Sequence, residues 1–87
     1  MENEENYRKQ VLKTFFKNGQ LLKIPTQNRK KDVVLQKVAS RFIKDQAYTE
    51  TQLDETLKKI YPDFEKLKIL FLSSRFIKKI NGAYHLV

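Results

Sequence analysis

The residues of this sequence best suited to chemistry are cations, and the chemistry they suit is the binding of phosphate groups. Arg29, Lys30 and Lys31 stand together at the start of a predicted helix, where positive charge opposes the helix dipole. Arg75 and Lys78 lie around a predicted hairpin at the end of the chain. Because helix stability does not account for the first cluster, both are candidate phosphate contacts, with a solvated surface as the alternative for each.

Groups for acid–base, nucleophilic or metal chemistry are few. The sequence has one His and no Cys, which excludes disulfides and thiolate ligands and leaves almost no transition-metal site. We expect His85 to be an exposed strand residue, and Asp54 and Glu55 are neighbours that cannot converge on one side of a helix. Gly19 and Gly82 serve turns and form no phosphate-cradling loop. The sequence therefore predicts a non-enzymatic protein without a cofactor or metal.

Length and charge favour one small basic domain with a polyanionic partner. The 87 residues allow a single core, and the formal charge is +8 at a sequence pI of about 9.8. Residues 1–44 carry eleven Lys or Arg against four Asp or Glu, whereas residues 45–87 carry seven against six. The acidic start does not resemble a signal peptide, and the longest apolar run, 69–72, is too short to cross a bilayer. We expect a cytoplasmic protein that does not contact membranes.

Apolar periodicity predicts two helices in the first half. The first is capped by Asn3 or Asn6, is stopped by Gly19, and carries one apolar stripe. That stripe consists of Tyr7, Val11, Leu12, Phe15 and Phe16. A short extended piece at 21–24 leads to a second helix over about 28–42.

Two capping signals predict two more helices in the second half. Thr49 and Gln52 have the spacing of a capping box, so a third helix begins there. Pro62 prevents its straight continuation, and Asp63 is a good cap for a fourth helix. We expect that fourth helix over about 64–74.

The C-terminal segment carries a strong hairpin signal. Asn81-Gly82 separates two strand-like runs, and both residues tolerate the positive φ that a two-residue turn needs. A two-residue loop fixes the register, which pairs Ile80 with Ala83, Lys79 with Tyr84, Lys78 with His85, and Ile77 with Leu86. We expect the face with Ile77, Lys79, Tyr84 and Leu86 to be buried. Lys78 and Lys79 therefore point to opposite faces.

The order of these elements predicts an α+β fold. A helix, a short extended link at 47–48, a helix, a tight turn, a helix and a hairpin follow the plan of a winged helix-turn-helix. That plan has a three-helix core and a C-terminal β-hairpin wing, here preceded by an extra N-terminal helix. We divide the chain into an N-terminal helix with its extended segment, 1–27, and a winged helix-turn-helix domain, 28–87.

The sequence also resembles a bacterial family of unknown function over roughly residues 11–87. The resemblance runs through Phe15-Phe16-Lys17-Asn18-Gly19-Gln20-Leu21, Ile24-Pro25, Arg29-Lys30-Lys31, Val33-Val34-Leu35, Tyr48-Thr49-Glu50, Asp63, Leu67, Phe71-Leu72, Gly82 and Tyr84. Members occur alone or as the C-terminal module of ArsR-type transcriptional regulators, so the resemblance implies a winged-helix-like fold and an association with transcription. The chain departs from the family at Gln20, usually Arg, and at Lys68-Ile69, usually two basic residues.

DNA binding is the first function that we predict. A helical wheel of the fourth helix places Phe64, Leu67, Leu70, Phe71 and Ser74 on the core face and Glu65, Lys66, Ile69, Leu72 and Ser73 outside. That outer face has no Arg, Asn or Gln for bidentate contacts with base edges, so we expect mainly phosphate contacts and weak specificity. The predicted DNA-binding residues are Arg29, Lys30, Lys31, Lys66, Lys68, Ser73, Arg75 and Lys78.

A protein-interaction or dimerisation module that does not bind DNA is the alternative prediction. The apolar stripe of the first helix needs a partner, either its own domain or a second chain. Ile69 and Leu72 on the outer face of the fourth helix would form an exposed apolar patch. The predicted interface residues are Tyr7, Val11, Leu12, Phe15, Phe16, Ile69 and Leu72.

Overall fold

A computed structural model describes residues 3–87, so the first two residues of the predicted 1–27 segment lie outside it. The fold is α+β, as predicted, with four helices and two small antiparallel hairpins among the described residues. The elements in chain order are α1 (Glu4–Phe15), β1 (Phe16–Lys17), β2 (Gln20–Leu21), α2 (Asn28–Ala39), α3 (Glu50–Ile60), α4 (Phe64–Ser73), β3 (Ile77–Ile80) and β4 (Ala83–Leu86). No helix in this part of the chain is long and apolar enough to cross a membrane.

The end of α1 differs from the prediction. Its start is as expected, since Asn3 Oδ1 accepts a hydrogen bond from the Asn6 backbone N–H at 2.7 Å. The helix ends at Phe15, before Gly19, because the chain continues there into the hairpin β1–β2. Asn18 and Gly19 form its two-residue turn with φ of 53° and 79°.

Helices α3 and α4 begin where their caps predict. Thr49 and Gln52 make both hydrogen bonds of the capping box, and Asp63 accepts a hydrogen bond from the Lys66 N–H at 3.4 Å. Helix α2 ends at Ala39, short of the predicted Phe42, and turns complete the segment between them.

The C-terminal hairpin has the predicted register. Ile77 pairs with Leu86, Lys78 with His85, Lys79 with Tyr84, and Ile80 with Ala83. Ile77 and Tyr84 are buried, as expected for that face, whereas Lys79 on the same face stays exposed. Tyr48 adds a third chain segment, since its N–H and C=O both bond Tyr84 at 2.8 Å.

A single hydrophobic core joins the N-terminal helix and the rest of the chain. Its buried members are Val11, Phe15, Leu21, Val33, Val34, Leu35, Val38, Phe42, Tyr48, Leu53, Leu57, Ile60, Leu67, Phe71, Ile77 and Tyr84. The set contains residues from α1 and β2 as well as from the other helices and the hairpin. The predicted segments 1–27 and 28–87 therefore pack around the same core.

Candidate nucleic-acid interface

A groove beside α4 brings together four of the predicted site residues. Lys66, Ile69 and Ser73 lie at positions i, i+3 and i+7 of α4, so they share one face of that helix. With Leu70 they line one side of a groove of about 400 Å³. Lys31 of α2 lines the same groove, although it lies 35 positions before Lys66 in the sequence.

The second wall of this groove is the extended segment that precedes α2. It consists of Ile24, Pro25 and Thr26, of which Pro25 is buried and Ile24 is half-buried. This segment leaves β2, passes along α4 and leads into α2 at Asn28. It therefore sets how Lys31, in the first turns of α2, lies relative to α4. None of the three residues of this wall is among the predicted site residues.

The basic cluster at the start of α2 does not act as one surface. The guanidinium carbon of Arg29 lies 3.8 Å from the centre of the Tyr7 ring, and its Nη2 lies 3.2 Å from Glu4 Oε2. Lys30 is half-buried and lines two smaller cavities on either side of Phe15. Of the three cations, only Lys31 lines the groove beside α4. Arg29 and Lys30 instead face α1.

The predicted cations around the hairpin are exposed to solvent. Arg75 follows α4 with a φ of 62°, and Lys78 lies on the outer face of β3 opposite the half-buried His85. Lys79 points to the other face, where its ammonium lies 5.5 Å from the centre of the Tyr84 ring. Arg75 and Lys78 are therefore available to a partner on the outer side of the hairpin.

Lys68, a predicted phosphate contact, is engaged instead in ion pairs within the fold. Its ammonium lies 2.8 Å from Asp54 Oδ1 and 3.2 Å from Glu50 Oε2, and its side chain is only 18% exposed. The side chain turns toward α3 rather than out to solvent, because two carboxylates on α3 compensate its charge. If Lys68 left α3 for a phosphate, Asp54 Oδ1 would stay buried without a cation, because it has no other hydrogen-bond partner among the described residues.

The ion pairs of Lys68 extend to the hairpin through Tyr84. The Tyr84 hydroxyl donates a hydrogen bond to Glu50 Oε2 at 3.0 Å. The hydrogen bonds from Lys68 and Tyr84 hold the pKa of Glu50 below its usual value of 4.5. Burial lowers the pKa of Lys68, but its bonds to Asp54 and Glu50 outweigh that effect and raise it above 10.5. Burial and the bond to Glu50 raise the pKa of Tyr84 above 10.0. These four residues, the α3–α4–β4 network, link two helices to the hairpin.

The Glu50 hydrogen bonds predict a pH dependence of stability. Because the folded-state pKa of Glu50 lies below its unfolded value, its contribution is present above about pH 4.5 and is lost as pH falls through the folded pKa. Glu50→Gln should therefore be less stable than the wild type at about pH 7 and approach it at about pH 3, measured by urea unfolding. Glu55→Gln is the control, since Glu55 makes no side-chain hydrogen bond or ion pair among residues 3–87. A Glu50→Gln deficit that stays constant over this range would contradict the role of its charge.

Basic pH should also lower the stability of the fold, because Lys68 and Tyr84 of the same network then lose their protons. The raised pKa values of Lys68 and Tyr84 mean that their contributions are complete below about pH 10 and are lost as pH rises through the folded values. The same unfolding series, extended to basic pH, measures this loss.

The predicted apolar interface is largely covered by its own chain. Val11 and Phe15 are buried in the core, and the half-buried Tyr7, Leu12 and Phe16 pack against it. Ile69 is 69% exposed, as predicted. Leu72 is half-buried and also packs against the core, so the expected patch of two exposed residues is wrong. Ser74 is exposed beyond the last turn of α4 and does not lie on its core face.

The chemistry available at this site is the binding of anions. Within residues 3–87, no group of three or more Asp, Glu or His side chains is arranged to hold a metal ion. The groove beside α4 presents two ammonium groups and two hydroxyls around apolar side chains, and none of its lining residues is acidic. This arrangement is suited to phosphate or carboxylate groups.

Comparison with known proteins gave one match. A family model described as an uncharacterized protein conserved in bacteria, DUF2087, matches residues 20–86. The matched segment includes both walls of the groove and the whole α3–α4–β4 network. No curated protein and no solved structure matches the chain.

Proposed function

We propose that this chain, which belongs to the DUF2087 family of uncharacterised bacterial proteins, is a non-enzymatic winged-helix protein that binds the phosphate backbone of double-stranded DNA. Because the family is uncharacterised, support for this function comes from this chain's own residues.

The winged-helix assignment is supported by the way Tyr48 meets the hairpin. In the proposed plan, α2, α3 and α4 form the helical core, and β3–β4 is the wing. Tyr48 lies between α2 and α3 and pairs antiparallel with Tyr84 of the wing. This pairing ties the wing to the link before α3 through two backbone hydrogen bonds. Helix α4 is then the helix offered to the major groove.

The proposal depends mainly on one observation, that Lys31 and Lys66 line a single groove beside α4. Neither lysine forms an ion pair with a carboxylate in the described residues, in contrast to Lys68. Two uncompensated cations from different helices on one surface are typical of a phosphate contact. Arg75 and Lys78, around the wing, complete the proposed set. Ser73 on α4 is left out because its hydroxyl already donates to the Leu70 carbonyl. We leave out Arg29 and Lys30 because they face α1.

The outer face of α4 favours backbone contacts over base readout. Apart from Lys66 and Ser73, its exposed groups are Glu65 and the apolar Ile69. Bidentate recognition of guanine or adenine needs Arg, Asn or Gln, and this face has none. We therefore propose weak sequence specificity and strong salt dependence.

A salt titration tests the proposed function. Fluorescence anisotropy with a labelled mixed-sequence duplex is measured at about 50 mM and about 200 mM salt. Four phosphate contacts should weaken affinity about 100-fold between these concentrations, because each released counterion steepens the dependence. Lys31→Glu combined with Lys66→Glu should weaken binding at least about tenfold at the lower salt and flatten the salt dependence.

The matched control changes the same amount of charge elsewhere. Lys58→Glu with Lys59→Glu alters two exposed lysines in the last turn of α3, away from the groove. Equal losses in the two double variants would mean that net charge alone drives binding and that the groove is not the contact. Absence of binding at the lower salt would contradict DNA binding altogether, and would favour the alternative of a protein-interaction module that uses the exposed Ile69.

A further inference from the structure

The groove beside α4 has a composition that phosphate contacts alone do not explain. Four of its eight lining residues are apolar, namely Ile24, Pro25, Ile69 and Leu70. A DNA backbone needs cations and hydroxyls but gains little from an aliphatic surface. The volume of about 400 Å³ falls within the range of small-molecule sites, which are mostly apolar with a few placed polar groups.

We propose that this groove binds a small carboxylate that carries an apolar ring. Ile69 is 69% exposed on one wall, and the half-buried Ile24 lies on the other. A flat ring between the two walls would remove Ile69 from water, which an inorganic anion cannot do. The apolar side chains therefore favour a ligand with an apolar ring over an inorganic anion.

The charge of the ligand follows from the polar groups of the same groove. Lys31 and Lys66 contribute ammonium groups from α2 and α4, and no lining residue is acidic. The Ser73 hydroxyl donates to the Leu70 carbonyl at 3.1 Å, so Ser73 offers a ligand only its lone pairs. Thr26 supplies a further hydroxyl beside the apolar wall. Two donating cations around an apolar surface fit a carboxylate and are unsuited to a cation or an uncharged polar molecule.

The test is a titration of the full ¹⁵N-labelled chain with 2-naphthoate, without DNA, followed by amide NMR spectra. We expect shifts confined to residues 24–26, the first turns of α2 and the outer face of α4. The uncharged 2-naphthamide, of nearly the same shape, should bind at least about tenfold more weakly, because it lacks the charge-assisted contacts. This comparison uses the wild-type chain and does not depend on any variant folding.

Variants locate the site. Lys31→Ala with Lys66→Ala should weaken naphthoate binding about tenfold, and Ile69→Ser about threefold or more, whereas Lys58→Ala with Lys59→Ala should leave it unchanged. The proposal is overturned if naphthoate shifts no groove residue at millimolar concentration, or if the amide binds equally well. It is also overturned if inorganic phosphate shifts the same residues with equal affinity, because the apolar walls then contribute nothing. Since no DNA is present, failure of the DNA proposal leaves this result intact.

Discussion

Replacing Phe71 by alanine should lower the free energy of unfolding by about 3 to 5 kcal/mol, as for other fully buried phenylalanines. Phe71 lies on the core face of α4 with no exposed surface. Its ring centre is 5.6 Å from that of Phe42 and 5.8 Å from that of Phe76, so it joins the end of α2 to the start of the hairpin. Since small domains are stable by only about 5 to 15 kcal/mol, this loss is a large part of the total.

Urea unfolding followed by circular dichroism measures the loss, and Ile69→Ala is the matched control. Ile69 lies two positions before Phe71 on the same helix but is 69% exposed, so its truncation should change stability by no more than about 0.5 kcal/mol. Together, Phe71→Ala and Ile69→Ala test which side of α4 faces the core. Similar losses in both variants would mean that Ile69 is also packed, and the groove that it lines would then be wrong.

Local signals in the sequence were enough to predict the helix starts and the C-terminal hairpin. A capping box or a two-residue turn involves residues only three or four positions apart, and its geometry follows from their own side chains and φ angles. Asn81 and Gly82 adopt φ of 51° and 81°, and the whole register of β3–β4 follows from that turn.

The hairpin β1–β2 uses the same turn chemistry but was not predicted. Asn18 and Gly19 have nearly the same φ angles as Asn81 and Gly82. The sequence predicts only a helix stop at Gly19, because each flanking strand has two residues, too few for an alternating apolar pattern. Phe16 also continued the apolar period of the helix. The Asn-Gly pair was the signal that would have identified this turn.

The sequence identifies individual residues of the candidate site but not how the fold brings them together. The sequence indicated Lys31, Lys66, Ile69 and Ser73 separately, from charge and from the helical wheel. Their convergence on one groove with the segment 24–26 brings together residues about 40 positions apart, which no local pattern encodes. The wheel placed Ile69 correctly but not Leu72, because it describes an isolated helix and takes no account of what packs around its last turn.

The ion pairs of Lys68 likewise could not be predicted from local sequence patterns. The sequence predicts a phosphate contact for Lys68, which requires its side chain to extend toward solvent. The structure instead places Glu50 and Asp54 of α3 beside it. Glu50 and Lys68 are 18 positions apart, whereas helical spacing relates only residues three or four positions apart, so it cannot predict this ion pair.

Replacing Lys68 by methionine should lower the free energy of unfolding by about 2 to 3 kcal/mol. Breaking a fully buried ion pair costs about 3 to 5 kcal/mol, and the smaller figure allows for the solvent that still reaches Glu50. Methionine keeps the apolar stem of the side chain but leaves Asp54 Oδ1, which is buried, without its cation. Lys66→Met is the control on the same helix, and it should change stability by no more than about 0.5 kcal/mol because Lys66 is exposed.

A double variant separates the loss of the ion pair from the loss of packing. If the cost of Lys68→Met comes from the unpaired Asp54 carboxylate, then Lys68→Met combined with Asp54→Leu should recover most of it, to within about 1 kcal/mol of the wild type, since apolar residues can replace a buried pair. Urea unfolding of both variants and of Asp54→Leu alone completes the cycle. Additive losses would contradict coupling between Lys68 and Asp54. They would also mean that the cost of Lys68→Met comes from lost packing or from the ion pair with Glu50 rather than from Asp54.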